Sequence, residues 1–456
     1  MQQLSHAGER MAMRHGNAQN GMEYSRMRAY YTWGDIPSLL RTSIGRKHLQ
    51  IAILRRLWPL FQRLAMIYRR MALRHTCLVV VTGSFGKTTT ARAISVALGG
   101  TDQDVNSYNF KSYVALAILK TPPWRRFVVI EAAIDGVGQM IQYAEMIRPD
   151  VAIVTCIGSE HNRSLGSLQS TRNEKVKILA GLLPGGVAVL NGDDPNVRWM
   201  ATQTQNRIIT FGLEEMNDVR ATDISLDWPK GTRFTLHAYG ESREIIIRLV
   251  GRHMVYPILA AIATALAEGF PLEQILPPLQ KLSPTPGRLE PIQLRNGALI
   301  LRDDFKSPLE TIDAALDVLG EIPAKERIVV LGDISEPFGK QWQIYRKAGG
   351  RIARVATKAI FITGKFRAYA AGARSAGLSS LVDAGGSFLE AIEALRQDLG
   401  PENIILIKGR DTQRLDRITL SLMGRTVHCK LTFCNTWAFR CEHCPMLERD
   451  GTEKAL

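Results

Sequence analysis

The residues with the clearest chemical capacity lie in a glycine-rich turn that ends at Lys87. An apolar run, residues 77–81, precedes this turn, and a stretch rich in Thr, Ala and Arg follows it. A strand, a glycine turn and a helix N-terminus form a phosphate cradle, because backbone N–H groups and the helix dipole hold the anion while a lysine reaches its terminal phosphates. We therefore expect ATP as a ligand, with Mg²⁺ on the Thr88 hydroxyl. The residues expected to bind ATP are Gly83, Ser84, Gly86, Lys87, Thr88 and Thr89.

The spacing of this turn departs from the general P-loop. Gly83 and Gly86 enclose two residues, fewer than the general motif has between its glycines. A chance glycine turn before a helix is the alternative interpretation. The lysine and the threonines after it stand where phosphate chemistry needs them, and they favour a nucleotide site.

The composition is that of an ordinary soluble protein with roughly two or three domains. Of its 456 residues, 45% are apolar and 22% are charged. Residues 1–74 hold 13 Lys and Arg against 3 Asp and Glu, so about +10 of the net charge of +15 belongs to them. No signal-peptide core opens the chain and no arginine-free apolar run reaches 18 residues, so neither a signal peptide nor a membrane span is expected. The cysteine usage suits a reducing cytoplasm.

The basic N-terminal segment, residues 1–74, contains a stretch of particular interest at residues 51–73. Apolar residues alternate there with arginines at helical spacing, which predicts a basic amphipathic helix interrupted at Pro59. Such a helix suits peripheral contact with an anionic membrane. The alternative is a helix that packs on the nucleotide-binding domain with its arginines in water. Residues 1–35 are expected to be poorly packed.

From Cys77 onward, short β-branched runs alternate with helical stretches. This alternation predicts an α/β fold: a central P-loop domain with three layers around a parallel sheet, residues 75–286, and a smaller Rossmann-like domain, residues 287–424. Residues 282–287 read as the linker between them. Residues 226–250 alternate in a hairpin-like way, so we expect a small antiparallel appendage there.

An ordered series of motifs resembles the Mur ligases, the ATP-dependent amide-forming enzymes of peptidoglycan assembly, and related polyglutamate-adding enzymes. The series covers roughly residues 78–422 and begins with the shortened glycine loop. One glycine loop is weak evidence, whereas the ordered set is specific. The nearest likeness is to the branch that joins D-alanyl-D-alanine to a UDP-muramoyl tripeptide. The further motifs are Asn106-Ser107-Tyr108-Asn109, Glu131, Glu160-His161, Gly166-Ser167-Leu168, Glu174-Lys175, Asn191-Gly192-Asp193-Asp194-Pro195, Gly287-Arg288-Leu289-Glu290, Asp303-Asp304, Leu331-Gly332-Asp333 and Lys408-Gly409-Arg410.

The resemblance implies an ATP-dependent carboxylate–amine ligase that acts through an acyl phosphate on a small-molecule acid and an amino acid or dipeptide. Charge builds up on crowded oxygens in such a reaction, so the demand on the protein is mostly electrostatic. The resemblance implies that Lys87 stabilises the transferring phosphoryl group and that Thr88 and Glu131 bind Mg²⁺. It implies a second metal bound by His161 and a carbamylated Lys175. Arg288 would bind phosphate after domain closure, and Asp304 would contact the ribose or the nucleotide edge. The simpler alternatives are that Glu131 is a solvated carboxylate, His161 a loop histidine and Lys175 a surface lysine.

The chain also departs from the family pattern. His253 is followed by Met254 and Val255 where the family has an asparagine-containing helix start, and Phe305-Lys306 replaces a Tyr-Asn pair. Lys306 resembles the lysine of the D-glutamate-adding branch. Residues 1–74 look unlike the family domain that grips UDP. An orphan ligase that joins an amino acid to a different acid is therefore the rival interpretation.

Four cysteines and two histidines crowd into residues 428–444. The pair Cys441 and Cys444 has the spacing of a metal knuckle, and Cys429 and Cys434 could supply the other pair of a Zn²⁺ site. The loop between the pairs is shorter than most zinc ribbons use. Free thiols on a poorly ordered tail, residues 425–456, are the alternative.

Three functional classes compete for the whole chain. A carboxylate–amine ligase predicts phosphate release that needs both an acid and an amine. A P-loop ATPase or kinase of another type predicts turnover without an amine. A nucleic-acid-binding module predicts steeply salt-dependent binding, but a basic patch confined to one end more often means a surface helix or a membrane contact. The ordered motifs favour the ligase, and we expect no nucleic-acid partner.

Overall fold

The computed structural model describes residues 36–41, 43–105, 111–159, 165–396, 399–434 and 440–448. Two sheets organise the chain, and a set of helices precedes the first of them. The expectation for residues 1–35 falls outside the described residues. In the part of the chain that is described, no helix combines the length and apolar character needed to cross a bilayer.

Three helices precede the first strand. They are α1 Ile36–Arg41, α2 Ser43–Arg56 and α3 Trp58–Met71. Helices α2 and α3 are separated only at Leu57, where the Leu57 N–H still donates to the Ile53 carbonyl and the Phe61 N–H to the Leu57 carbonyl. Pro59 lies in the first turn of α3, where its missing N–H costs no helical hydrogen bond. The predicted basic helix is therefore two helices that run almost without interruption.

The first sheet has eight described strands in the order β2-β1-β3-β4-β5-β6-β7-β8. The pairs up to β5–β6 are parallel, and β6–β7 and β7–β8 are antiparallel. The strands are β1 Cys77–Thr82, β2 Phe127–Glu131, β3 Val151–Val154, β4 Val187–Asn191, β5 Arg207–Gly212, β6 Val219–Asp227, β7 Gly231–Ala238 and β8 Glu241–Ile247. The β1, β3 and β4 strands are almost wholly buried, which explains their unbroken apolar sequences.

Helices cover both faces of this sheet. They are α4 Lys87–Ala97, α5 Lys111–Lys120, α6 Gln139–Ile147, α7 Leu168–Lys175, α8 Pro195–Ala201, α9 Val255–Ala267 and α10 Leu272–Gln280. Val79 and Val81 point to the core that includes α4 and α9, whereas Leu78 and Val80 point to the core that includes α3, α5 and α6. This alternation follows from the two-residue period of a strand and makes the three layers of the domain.

One expectation for this region needs correction. The antiparallel strands do not form a separate appendage, because β6 pairs with β5 and extends the main sheet. Elsewhere in the domain, α7 continues directly into a 3₁₀-helix, Val176–Gly181, before β4 begins.

The second sheet has six described strands in the order β13-β12-β11-β14-β10-β9, parallel except for the edge pair β9–β10. The strands are β9 Glu290–Gln293, β10 Leu299–Asp303, β11 Glu326–Leu331, β12 Lys358–Phe361, β13 Leu381–Asp383 and β14 Asn403–Lys408. The helices are α11 Leu309–Glu321, α12 Gln341–Ala353, α13 Phe366–Ser375, α14 Phe388–Arg396 and α15 Asp416–Leu422. The predicted α/β fold class, a large parallel-dominated sheet followed by a smaller α/β unit, is confirmed.

The described part of the tail packs on α15 and on the second sheet. Cys441 and Leu447 are buried against Leu420. The Cys441 N–H donates to the Asp416 carboxylate, and the His428 N–H donates to the Leu447 carbonyl. These contacts make residues 440–448 part of the folded body.

Candidate active site

The glycine loop between β1 and α4 is held by close backbone packing. Gly83 has φ +140°, and a Cβ on it would lie 2.0 Å from the Thr155 hydroxyl oxygen. The Ser84 N–H donates to the Cys156 carbonyl at 2.8 Å, and the Thr155 hydroxyl donates to the Phe85 carbonyl at 2.6 Å. Glycine is needed at position 83 because no side chain fits there. The loop is therefore braced on the end of β3.

Lys87 curls back over this loop. Its ammonium group donates to the carbonyls of Gly83 at 2.8 Å and Ser84 at 2.9 Å. The side chain is buried, and burial lowers its pKa, while Glu131 nearby opposes the shift. The positive group thus stands at the mouth of the phosphate cradle, where it can exchange carbonyl oxygens for phosphate oxygens.

Thr88 and Glu131 meet at the ends of neighbouring strands. The Thr88 hydroxyl donates to Glu131 Oε2 at 2.9 Å, and Glu131 is buried. The approach follows from the register, because Glu131 pairs with Val81 across the parallel strands β2 and β1. A hydroxyl and a single carboxylate fit Mg²⁺, which takes few protein ligands and completes its shell with phosphate oxygens and water.

Lys175 reaches the same loop from the end of α7. Its Nζ lies 3.4 Å from the Ser84 hydroxyl oxygen, and the side chain is buried. Burial, together with the nearby Lys87, holds the pKa of Lys175 well below its usual range. A lowered pKa increases the share of the uncharged, nucleophilic amine, which is the form that carbamylation by CO₂ requires.

The second sheet contributes cations to the same place. The Arg288 guanidinium lies 4.8 Å from the centre of the Phe305 ring, and burial lowers its pKa against the attraction of Glu131. Burial and the charge of Lys87 lower the pKa of Lys306 to about 8. Lys408 donates to Asp303 Oδ2 at 2.5 Å and to the Lys306 carbonyl at 3.0 Å, which fixes the backbone at Lys306. Positive groups from both sheets therefore converge near Glu131.

Asp304 is enclosed by other charged groups. It accepts from Arg302 Nε at 2.8 Å, and burial together with Asp416 raises its pKa to about 6. Glu442 from the tail also pairs with Arg302, at 2.5 Å. The motif had predicted a carboxylate available to the nucleotide, but the structure gives Asp304 an internal partner and covers it from the tail side.

Contacts between the two sheets' domains hold the site together. The Thr89 hydroxyl lies 3.1 Å from the Thr285 hydroxyl in the linker, and Arg92 donates to Thr285 at 2.7 Å. On the opposite side, the Ser159 N–H and hydroxyl donate to the Glu310 carboxylate at 2.9 and 2.7 Å. The linker and α11 are thereby tied to the phosphate-loop domain.

The unusual helix start near His253 has its own arrangement. The Tyr256 hydroxyl donates to Asp193 Oδ2 at 2.8 Å. Asp193 also accepts from the Leu213 N–H at 2.6 Å. Tyr256 thus links α9 to the loop after β4, two residues beyond Met254, which stands where the family pattern has its first asparagine.

Some predicted residues gain no structural description or support. His161 and the motif at residues 106–109 lie outside the described residues. All six cysteines are free. Within the described ranges, no group of three or more His, Cys, Asp or Glu side chains could hold a metal ion, so the zinc prediction finds no support. The tail residues of that prediction were Cys429, Cys434, Cys441 and Cys444.

The sequence interpretation missed the ion-pair group around Arg302. This arginine lies in β10 and pairs with Glu290, Asp304, Asp416 and Glu442. The available signal was a charge inside an otherwise apolar strand, since such a charge is costly without partners. The partners themselves lie at four places in the chain: in β9, directly after β10, in α15 and in the tail.

Comparison with known families matches both domains. The model of the Mur ligase middle domain matches residues 81–265, and that of the Mur ligase glutamate ligase domain matches residues 287–410. Together the matches cover more than half of the chain.

Known relatives agree with this assignment. The chain is 28% identical over 354 residues to the UDP-N-acetylmuramoyl-tripeptide–D-alanyl-D-alanine ligase of Escherichia coli strain K12, covering 75% of this chain and 76% of the relative. The Bacillus subtilis strain 168 ligase of the same name is also 28% identical over 354 residues, with 76% of each chain covered. A MurF crystal structure from Acinetobacter baumannii superposes with a TM-score of 0.72 at 25% identity, covering 80% of both chains. The chain therefore belongs to the Mur ligase family and is an ATP-dependent ligase that forms carbon–nitrogen bonds.

Proposed function

We propose that this ligase joins D-alanyl-D-alanine to the terminal carboxylate of a UDP-N-acetylmuramoyl tripeptide. The names of the relatives support these substrates, since they share about three quarters of their length with this chain. The main structural support for this chemistry is that Lys87 and the hydrogen-bonded Thr88–Glu131 pair lie at the same glycine loop. A cation and a metal-binding pair are thus present at one phosphate cradle.

The first step activates the acid. A carboxylate oxygen attacks the γ-phosphorus of ATP, the bond to the β–γ bridging oxygen breaks, and ADP leaves. Mg²⁺ held by Thr88 and Glu131 would neutralise charge on the phosphate oxygens. Lys87 binds the transferring group from the loop, while Arg288 and Lys306 approach it from the second domain. The protein supplies position and positive charge, which is what phosphoryl transfer needs.

The second step forms the amide. The amine nitrogen of the dipeptide attacks the carbonyl carbon of the acyl phosphate, the bond from that carbon to the phosphate oxygen breaks, and orthophosphate leaves as the nitrogen loses a proton. Water would destroy the acyl phosphate, so the site must be closed at this stage. The Ser159–Glu310 and Thr89–Thr285 contacts support a closed arrangement.

Lys175 contributes an anion in this proposal. Its uncharged amine attacks CO₂, loses a proton and becomes a carbamate next to Ser84. We expect protein incubated with ¹³C-bicarbonate to show a carbamate carbon signal by NMR that Lys175→Ala lacks. The same signal in both proteins would place the carbamate elsewhere.

A substrate panel tests the proposed function. Purified protein with ATP and Mg²⁺ is given a UDP-muramoyl tripeptide, a free amino acid or D-alanyl-D-alanine, singly and in pairs, and phosphate and the amide product are measured. We expect turnover only with the tripeptide and dipeptide together. Turnover with another acid and an amine would identify the rival orphan ligase, and phosphate release without amine would indicate a plain ATPase.

Residues 51–73, for which the sequence predicts membrane contact, take no part in the proposed reaction.

A further inference from the structure

The helices α2 and α3 lie on the outside of the first domain and are held in one orientation. Buried Arg69 donates to the carbonyls of Ile147, Leu73, Thr76 and Arg148 and forms an ion pair with Asp150 at 2.7 Å. The alternative interpretation of this segment, a helix packed on the domain with its arginines in water, is therefore wrong for Arg69, which is buried. On the inner face of α3, Ala65 is buried and three larger side chains pack against the domain core. Those side chains are Trp58, Phe61 and Tyr68.

The outer face carries a continuous apolar stripe. Its members are Ile53, Leu57, Leu60, Leu64, Ile67 and Met71. They follow one another at spacings of four and three residues, so they share one side of the helix. All of them are exposed, from 41% for Leu57 to 73% for Met71. Single exposed apolar residues are ordinary on a soluble protein, but a contiguous set points to a binding surface.

A row of arginines borders the stripe. Arg56, Arg63 and Arg70 repeat every seven residues, each one position before a stripe residue, and all are exposed. Residues 43–71 contain no Asp or Glu. The surface is thus apolar along its centre and positive along its edge, without acidic side chains of its own to neutralise it.

We propose that this face binds the surface of an anionic phospholipid membrane. The helices would lie in the plane of the interface, with the apolar stripe among the acyl chains and the arginines at the phosphate groups. Arginine suits this position because its guanidinium binds phosphate oxygens in pairs. Because Arg69 anchors α3, the apolar stripe already faces outward in the free protein. The helices therefore need not unfold or reorient to bind lipid.

A second copy of the chain is a poorer occupant. The four-and-three spacing is also that of a coiled-coil contact. However, a two-fold contact pairs a surface with itself, and the arginine row would then meet an equally basic surface. Opposite charge is available from anionic lipid and is lacking in residues 43–71.

Vesicle sedimentation of the full chain tests the proposal. Vesicles of phosphatidylglycerol mixed with phosphatidylcholine are compared with vesicles of phosphatidylcholine alone, at low and high salt. We expect binding to the anionic vesicles that weakens with salt. The triple variant Arg56→Gln, Arg63→Gln, Arg70→Gln should bind them about 100-fold more weakly, since each arginine near the surface contributes about fivefold. The triple variant Leu60→Gln, Leu64→Gln, Ile67→Gln should lose at least about tenfold.

Matched variants control for charge and for apolar surface elsewhere. Exposed Arg207, Arg248 and Arg295 are changed to Gln in one, and exposed Met216 and Trp342 to Gln in the other. Both should bind vesicles like the parent, and the thermal midpoint of every variant is measured to confirm folding. Equal binding to both vesicle types, unchanged binding of either helix variant, or no binding at all overturns the proposal. A dimer that the leucine variant dissociates, without vesicle binding, would identify a second copy as the occupant.

Discussion

Glu131 is the residue on which the metal-binding half of the site depends. It is buried at the end of β2 and accepts from Thr88, and its charge acts on Lys87, Arg288 and Lys306. A buried carboxylate paired with a hydroxyl at the phosphate cradle is well placed to hold a divalent ion that arrives with the phosphates.

We expect Glu131→Gln to lower kcat/KM for ATP by about 100- to 1,000-fold, because the amide keeps the shape but removes the charge that holds the metal. Phosphate release with both substrates, titrated with Mg²⁺, measures this. Exposed Glu145→Gln on α6 is the matched control and should leave the rate unchanged. Equal rates for the two variants would remove Glu131 from the site.

The titration of Lys306 predicts that kcat/KM for ATP depends on pH. Its pKa of about 8 means that the charged form is lost as pH rises through that value in the free enzyme. We expect kcat/KM for ATP to fall above about pH 8, and Lys306→Arg to keep the alkaline side flat because arginine stays charged. Identical pH profiles for the parent and Lys306→Arg would show that Lys306 does not bind phosphate.

The same pKa bears on stability. The folded-state pKa of Lys306 lies below its ordinary 10.5, so the unfolded chain binds more protons between the two values. This lysine therefore makes the free energy of unfolding rise with pH from about 8 to 10.5.

At the scale of elements, Arg69 holds α3 against the first domain. It joins the helix to β1, to the end of α6 and to Asp150, the residue before β3. Removing it takes a donor from several buried carbonyls and the paired cation from Asp150, which keeps only the Leu78 N–H, and this loss is costly.

We expect Arg69→Ala to lower the free energy of unfolding by about 3 kcal/mol. The neighbouring Arg70→Ala, on the exposed side, should change it by less than about 0.5 kcal/mol. Urea unfolding of both variants measures the difference. Equal free energies of unfolding for the two variants would show that Arg69 does not hold α3 in place.

The elements themselves were largely predictable from the sequence. The apolar run before the glycine loop predicted the strand β1, and the family resemblance implied a shared role for Thr88 and Glu131, whose side chains are hydrogen-bonded in the structure. The role of Arg69 was not predictable, because its acceptors at Ile147 and Arg148 lie far along the chain. Local alternation likewise identified β7 and β8 as antiparallel but could not show that they extend the main sheet.

The same limit applied to Asp304. A motif can name a carboxylate after a strand, but its enclosure by Arg302 and by the tail depends on how distant segments pack. The chain end contributes Arg440, which donates to the Pro286 carbonyl in the linker at 2.7 Å. The tail thereby contacts the hinge region as well as the second sheet.

At the scale of the whole molecule, the two sheets meet around the phosphate cradle. One domain supplies the loop, Glu131 and Lys175, and the other supplies Arg288 and Lys306. Neither domain alone holds both halves of the positive environment. We therefore infer that the assembled site transfers a phosphoryl group from ATP to a carboxylate before the amine nitrogen attacks.

An oxygen-18 transfer experiment tests whether the acyl phosphate forms. The terminal carboxylate of the UDP-muramoyl tripeptide is labelled in both oxygens, and orthophosphate is collected during turnover with ATP and D-alanyl-D-alanine. Formation of an acyl phosphate transfers one carboxylate oxygen to the phosphate. We predict one labelled oxygen in each orthophosphate released. Amide formation with unlabelled orthophosphate would exclude an acyl-phosphate intermediate.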